Sequence, residues 1–150
     1  MMKKNLRKKI APKIKLPSIK SLENKVWELC KQITRLTYEH KCVSCCKDIE
    51  GKNLHCGHYF RKKFIPLRFK YDLRILRPQC LFCNTRLHGN LEWYTYYLLK
   101  EGVVDIPEIG EQIKNEKQLT RSLPEQREFL ENLIKYYSFR LDNIKSSGSI

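Results

Sequence analysis

Cys42-Val-Ser-Cys45, Leu54-His55-Cys56-Gly57-His58-Tyr59, Cys80-Leu-Phe-Cys83-Asn84 and His88-Gly89-Asn90 make up the stretch whose reading decides the fold. Two Cys-x-x-Cys pairs stand 34 residues apart, with His55 and His58 between them. Zn²⁺ in structural sites takes four soft ligands in a tetrahedron, and paired knuckles of this kind supply them. Two intervening residues let one tight turn aim both thiolates at a single ion. The gap exceeds that of short zinc ribbons and leaves room for a β-hairpin and a loop. A disulfide framework is disfavoured by the odd count of seven cysteines and by the lack of a recognisable signal peptide. Cys42, Cys45, Cys80 and Cys83 are therefore assigned to one structural zinc. Cys46 competes with Cys45 as a ligand; like Cys30 and Cys56, it is read as a reduced bystander.

Outward from this centre, 150 residues suffice for one domain with a modest core. The formal net charge of +14, from 30 Lys+Arg against 16 Asp+Glu, points to a polyanion, most simply nucleic acid. No apolar run is long enough to span a membrane. A thiol redox role for the Cys-x-x-Cys pairs leaves the positive charge unexplained. Residues 1–20 carry eight basic side chains and no acid, interrupted by Pro12 and Pro17. They read as a flexible arm that touches phosphates without choosing a site. Residues 21–145 read as a single domain with its core at 40–100.

The flanks read as helices. Leu22, Val26, Leu29, Ile33 and Leu36 recur at helical spacing over 21–40, with Ser21 as the expected cap. A turn at 50–53 leads into a strand from Leu54 to Phe60. Residues 61–77 hold Arg61, Lys62, Lys63, Arg68, Lys70, Arg74 and Arg77, with Asp72 as the lone acid. Phe60, Phe64, Phe69 and Tyr71 interleave. The cations are expected to meet phosphates and most of the rings to be core. Asp72 is read as a local partner for an arginine. Asn84 and His88, four apart on a short helix, share a face suited to one metal ion. Leu91 to Lys100 forms a helix whose Trp93, Tyr94, Tyr97 and Leu98 are read as core. Residues 103–120 form a connector with room for one short helix. Ser122-Leu-Pro-Glu125 is a capping box opening a helix over about 122–144.

Four cysteines complete the zinc shell, which frees the histidines for other chemistry. Imidazole titrates near physiological pH, so His58 can act as a general base. Gly57 before it permits close backbone approach.

Cys42-Val-Ser-Cys45, Cys56-Gly-His-Tyr59, Leu67-Arg-Phe69, Asp72-Leu-Arg74, Pro78-Gln-Cys80, Cys83-Asn84 and Gly89-Asn90 together resemble the NinG/Rap recombination proteins of lambdoid phages. More distantly, a histidine between two zinc knuckles and an asparagine straight after the last cysteine is similar to HNH and endonuclease VII nucleases. The resemblance covers about residues 40–100. It implies an α+β fold with a small zinc-stapled ββα-metal core and flanking helices. It also implies a metal-dependent endonuclease that cleaves branched DNA, such as Holliday junctions and D-loops, in the cytoplasm of a phage's bacterial host. In that scheme His58 is the general base and Asn84 holds Mg²⁺ or Mn²⁺.

Three departures stand out. HNH proteins usually place an aspartate before the histidine, where this chain has Gly57, as NinG relatives tend to. The second ligand must then come from elsewhere, with His55 and His88 as candidates. Ile75 stands where the pattern has its middle asparagine, and Arg77 where relatives often have histidine. The alternative reading is a non-catalytic zinc module that binds branched or single-stranded DNA. Symmetric cutting of a four-way junction would be easiest for a homodimer, with the last helix offering the contact.

Overall fold

A two-stranded antiparallel ribbon lies between two groups of helices in the computed structural model, which describes residues 16–103, 105–116 and 122–147. The ribbon pairs β1 (Leu54–His58) with β2 (Leu76–Cys80). His55 lies opposite Gln79, Gly57 opposite Arg77 and His58 opposite Leu76. The expected strand to Phe60 stops at His58, although the Tyr59 N–H still donates to the Ile75 carbonyl at 3.0 Å. Side chains alternate along a strand, so Cys56 and His58 leave one face while His55 and Gly57 leave the other.

The first face is covered by α1 (Ile19–Thr37) and α4 (Leu123–Ser147). Leu22, Val26, Cys30 and Ile33 of α1 form one core with Cys56, Leu76, and Leu130, Tyr137 and Leu141 of α4. The cap of α1 is Ser18 rather than Ser21: its hydroxyl oxygen accepts from the Ser21 N–H at 3.1 Å. The helix therefore starts before the expected residue 21, and Leu36, beside its frayed end, is exposed. The expected capping box is present on α4. Glu125 Oε2 accepts from the Ser122 N–H at 2.7 Å, and Ser122 Oγ accepts from the Glu125 N–H at 3.5 Å. The Tyr137 hydroxyl donates to the Tyr71 carbonyl at 2.6 Å, pinning α4 to the loop between the strands.

On the other side lie α2 (Leu91–Lys100) and α3 (Ile106–Glu116). Tyr94 and Leu98 of α2 pack with Val43 and Ile106. Ile109 and Ile113 of α3 cover Ile65, Phe69 and Ile75 of the inter-strand loop. The connector expected over 103–120 thus contains a three-turn helix, with Ile106, Ile109 and Ile113 as its buried row.

The aromatic stripe of α2 is only partly core. Tyr94 and Leu98 are fully buried, but Trp93 is 54% exposed. A ten-residue helix laid on so narrow a ribbon buries one row at i, i+4 spacing and turns its next row outward. No helix among the described residues is long and apolar enough to cross a membrane. Of the arm expected over 1–20, residues 1–15 lie outside the described residues, Leu16 to Ser18 are exposed, and Lys20 already belongs to α1.

Candidate functional site

The first knuckle is a tight turn. The Cys46 N–H donates to the Cys42 carbonyl at 2.8 Å, and the Cys42 N–H donates to the Lys47 carbonyl at 2.9 Å. The second begins at the last residue of β2 and runs into a π-helical turn, Phe82–Arg86. This wide turn carries Cys83 back towards Cys80, whose sulfur accepts from the Cys83 N–H at 3.3 Å. Asn90 Nδ2 donates to the Cys83 sulfur at 3.5 Å.

The sulfurs of Cys42, Cys45, Cys80 and Cys83 all lie within 4.8 Å of one another. Cys45 Sγ and Cys80 Sγ are 3.9 Å apart. A tetrahedron of thiolates at the usual zinc–sulfur distance has edges of ~3.8 Å, so the cluster could hold that ion once its more distant sulfurs draw in by about 1 Å or less. Burial pushes the Cys42 and Cys83 thiols up. At Cys80 burial acts the same way but is outweighed by the Cys83 N–H and the neighbouring thiols, so its thiol is held below the usual range. Metal binding must therefore expel protons from the Cys42 and Cys83 thiols, which makes it pH-dependent. Cys46 points away, to the Tyr97 hydroxyl. Cys30 and Cys56 are buried, and burial pushes the Cys56 thiol up to about 11. Neither belongs to the cluster.

The candidate groups for a second ion are only partly assembled. Asn84 sits inside the π-helical turn, and its Nδ2 lies 3.3 Å from His55 Nδ1. His88 lies beyond that turn, exposed, with a left-handed φ of 49°. The helical face expected to join Asn84 with His88 is not formed, because the turn ends at Arg86. Among the described residues, the four cysteines are the only group of three or more His, Cys, Asp or Glu side chains close enough to share an ion.

His58 is placed differently. Its ring stacks on Trp27 of α1 with centroids 5.0 Å apart and planes 12° from parallel. Its Nε2 lies 2.9 Å from the Lys70 carbonyl. A carbonyl can only accept, so Nε2 carries the proton and Nδ1 keeps its lone pair. Burial pulls the imidazole down to about 4, against the Lys70 carbonyl and with help from the Lys62 and Lys70 charges. His58 is therefore neutral at physiological pH, and it leaves the opposite face of β1 from His55 and Gly57.

The seven basic residues of the loop divide into two groups. Arg68 pairs with Glu116 at 2.6 Å, and Arg74 pairs with Asp72 at 2.7 Å and Asp105 at 2.6 Å. Asp72 is thus the arginine partner it was read to be. Arg77, expected on the nucleic-acid surface, is instead a buried strut at 3% exposure. Its guanidinium pairs with Glu101 at 2.9 Å, donates to the Leu73 and Leu76 carbonyls at 2.9 and 2.8 Å, and lies over the Tyr38 ring. Arg61, Lys62, Lys63 and Lys70 carry no ion pair among the described residues. Lys62 Nζ sits 4.8 Å from the Trp27 ring centroid, beside His58.

Two residues given no role in the sequence reading hold this region together. Trp27 flanks His58. Gln79, fully buried, donates through Nε2 to Ser44 Oγ at 2.7 Å and to the Gly89 carbonyl at 2.6 Å. It thereby ties the first knuckle to the end of the second.

A two-stranded ribbon clasped between helices, with a four-thiol cluster that could bind a metal such as zinc, defines a small α+β protein. The chain matches the family model described as Bacteriophage Lambda NinG protein over residues 2–140 and belongs to that family. Comparison with curated proteins and with solved structures gives no significant match.

Proposed function

We propose that this NinG-family chain is a metal-dependent endonuclease for branched DNA, Holliday junctions and D-loops among them, working on phage recombination in the host cytoplasm. The observation that carries the reading is the His58–Lys70 hydrogen bond. It leaves a neutral imidazole with its acceptor nitrogen free, next to cations that no acid among the described residues neutralises. Phosphodiester hydrolysis needs a base for the water proton, and Nδ1 of His58 can take it. Arg61, Lys62, Lys63 and Lys70 hold the flanking phosphates.

Asn84 Nδ2 donates to His55 Nδ1 at 3.3 Å; with the amide turned to present Oδ1 instead, the amide oxygen and the imidazole would make a donor set that favours Mn²⁺ over Mg²⁺ in affinity. A divalent ion bound there supplies charge relief on the scissile phosphate and the leaving 3′ oxygen. The thiolate cluster is a closed four-ligand site, so its zinc is structural. Two copies would suit symmetric cutting of a four-way junction.

The test is single-turnover cleavage of four-way, forked and linear DNA with Mg²⁺ or Mn²⁺, with zinc content checked in parallel. The parent should cut branched DNA, and His58→Ala should bind it equally well yet cut on the order of 10²-fold more slowly. The second reading, a zinc module that binds branched or single-stranded DNA without cutting, is favoured by one observation. His58 leaves the face of β1 opposite to that of His55, the residue Asn84 meets, and fully buried Ile75 stands in the middle-asparagine position. No cleavage by the parent with either metal selects it.

A further inference from the structure

The outward face of α2 is built for contact. Tyr94 and Leu98 complete the core row at 0% exposure, so Trp93 and Tyr96 contribute little to it. Trp93 is 54% and Tyr96 52% exposed. Their centroids lie 5.9 Å apart with planes at 78°. An edge-to-face contact of that kind covers one face of one ring; Tyr96 also meets Tyr97 at 5.2 Å and 81°, and about half of Trp93 and of Tyr96 stays open to solvent. Lys100, seven residues beyond Trp93 and four beyond Tyr96, closes the same face with an exposed ammonium. Exposed Leu99 borders the face, and Glu92 is its one acid.

We propose that this face is a stacking platform for the unpaired bases of single-stranded DNA. Charge selects the occupant. Two copies at +14 repel each other, whereas a polyanion is attracted. Rings select the form of that polyanion. Bases in a duplex are already stacked and hidden, but an unpaired base offers a π-face to any exposed aromatic ring.

The path of the backbone agrees. Tyr59 bonds through its hydroxyl to Thr95 Oγ1 on the flank of α2 at 2.9 Å, and the chain then runs directly into Arg61, Lys62 and Lys63. Arg61, Lys62 and Lys63, which carry no ion pair among the described residues, follow Tyr59 in the chain and would take the phosphates of a strand whose bases rest on Trp93 and Tyr96. The inference rests on the nucleic-acid part of the reading above and not on cleavage. It holds for a nuclease and for a non-cutting module alike.

The test uses the full zinc-loaded chain, an oligothymidylate and a blunt duplex with the same number of phosphates. Trp93→Ala with Tyr96→Ala should weaken oligothymidylate binding ~10-fold or more, leave duplex binding within about twofold and leave zinc content unchanged. Trp93→Phe should keep most of the single-strand affinity. In the unmutated chain, oligothymidylate should shield the exposed tryptophan from acrylamide quenching, a readout that needs no variant. Equal losses on both DNAs, no loss on either, or no shielding would each overturn the proposal. So would a parent dimer that the double variant converts to monomer with DNA binding unchanged, since the face would then join copies of the chain. Failure to cut DNA would not touch it.

Discussion

Gln79 fills the space that a side chain on Gly57 would need: a Cβ on Gly57 would lie 2.0 Å from Gln79 Oε1 and 2.7 Å from its Cδ. Gln79 cannot swing aside cheaply, because its Nε2 is held by Ser44 and by the Gly89 carbonyl. The glycine before His58 is therefore a packing requirement. The aspartate that HNH proteins carry at that position has no room here while Gln79 is present. Gly57→Ala should lower stability by about 1–3 kcal/mol through overpacking. Adding Gln79→Ala should return part of that loss, although Gln79→Ala alone destabilises. Thermal unfolding of the four proteins gives the cycle, and strictly additive effects would show that the two residues do not compete for space.

The thiolate cluster should bind about one zinc per chain. Cys80→Ser removes one of the four thiols and leaves three donors that no longer close a tetrahedron. It should lose zinc and unfold the ribbon, whereas Cys46→Ser should keep both. Metal analysis with circular dichroism checks this, and a folded, metal-free Cys80→Ser protein would contradict it.

His58 gives stability a pH dependence of known sign. Its imidazole sits at about 4 in the folded chain, below its ordinary 6.5. Between these values the unfolded chain binds a proton that the folded chain refuses. The contribution of His58 is thus complete above about 6.5 and is lost as pH falls towards 4, by up to ~3 kcal/mol. His58→Phe should narrow its gap to the parent by that route, or reverse it, in urea unfolding at pH 7 and pH 4. Zinc release at low pH is common to both proteins and cancels in the difference. Imidazole proton shifts in the NMR spectrum give the titration directly, and a midpoint near 6.5 would refute the buried placement.

The basic loop should show its division in salt dependence. Lys62→Ala with Lys63→Ala should flatten the slope of log affinity against log salt by about 2, close to one unit per phosphate contact. Arg74→Ala, whose guanidinium is already claimed by Asp72 and Asp105, should change the slope little. Arg77→Met should instead act on folding, lowering stability by about 2 kcal/mol or more as Glu101 and two carbonyls lose their donor.

Legibility in the sequence follows the range of the forces involved. The four-cysteine cluster is readable because its pattern is local: paired Cys-x-x-Cys turns bring thiols together. The capping box of α4 and the pairing of Asp72 with Arg74 are readable for the same reason. Arg77 and Lys62 look alike in sequence, yet one is buried because Glu101 and Tyr38 meet it across the fold. Trp93 and Tyr94 are adjacent aromatics, and only the position of the ribbon beneath α2 decides which faces inward. The Asn84–His88 face fails because bringing Cys83 back to Cys80 widens the turn, a demand of the metal site that helical periodicity does not anticipate. Gln79 gives no local signal, since its partners lie on two different knuckles.

The seam between α1 and α4 joins the two ends of the described chain, with Leu22, Val26 and Ile33 closed over by Leu130, Tyr137 and Leu141. On the ribosome these halves do not exist together. At ~5–20 residues per second, α1 waits several seconds with its greasy stripe uncovered before α4 emerges. The metal ribbon has every ligand it needs well before then. A nascent chain stalled between Cys83 and Leu123 therefore carries a finished metal site and an open, aggregation-prone groove at once. Its safety during synthesis depends on the last helix arriving rather than on the zinc.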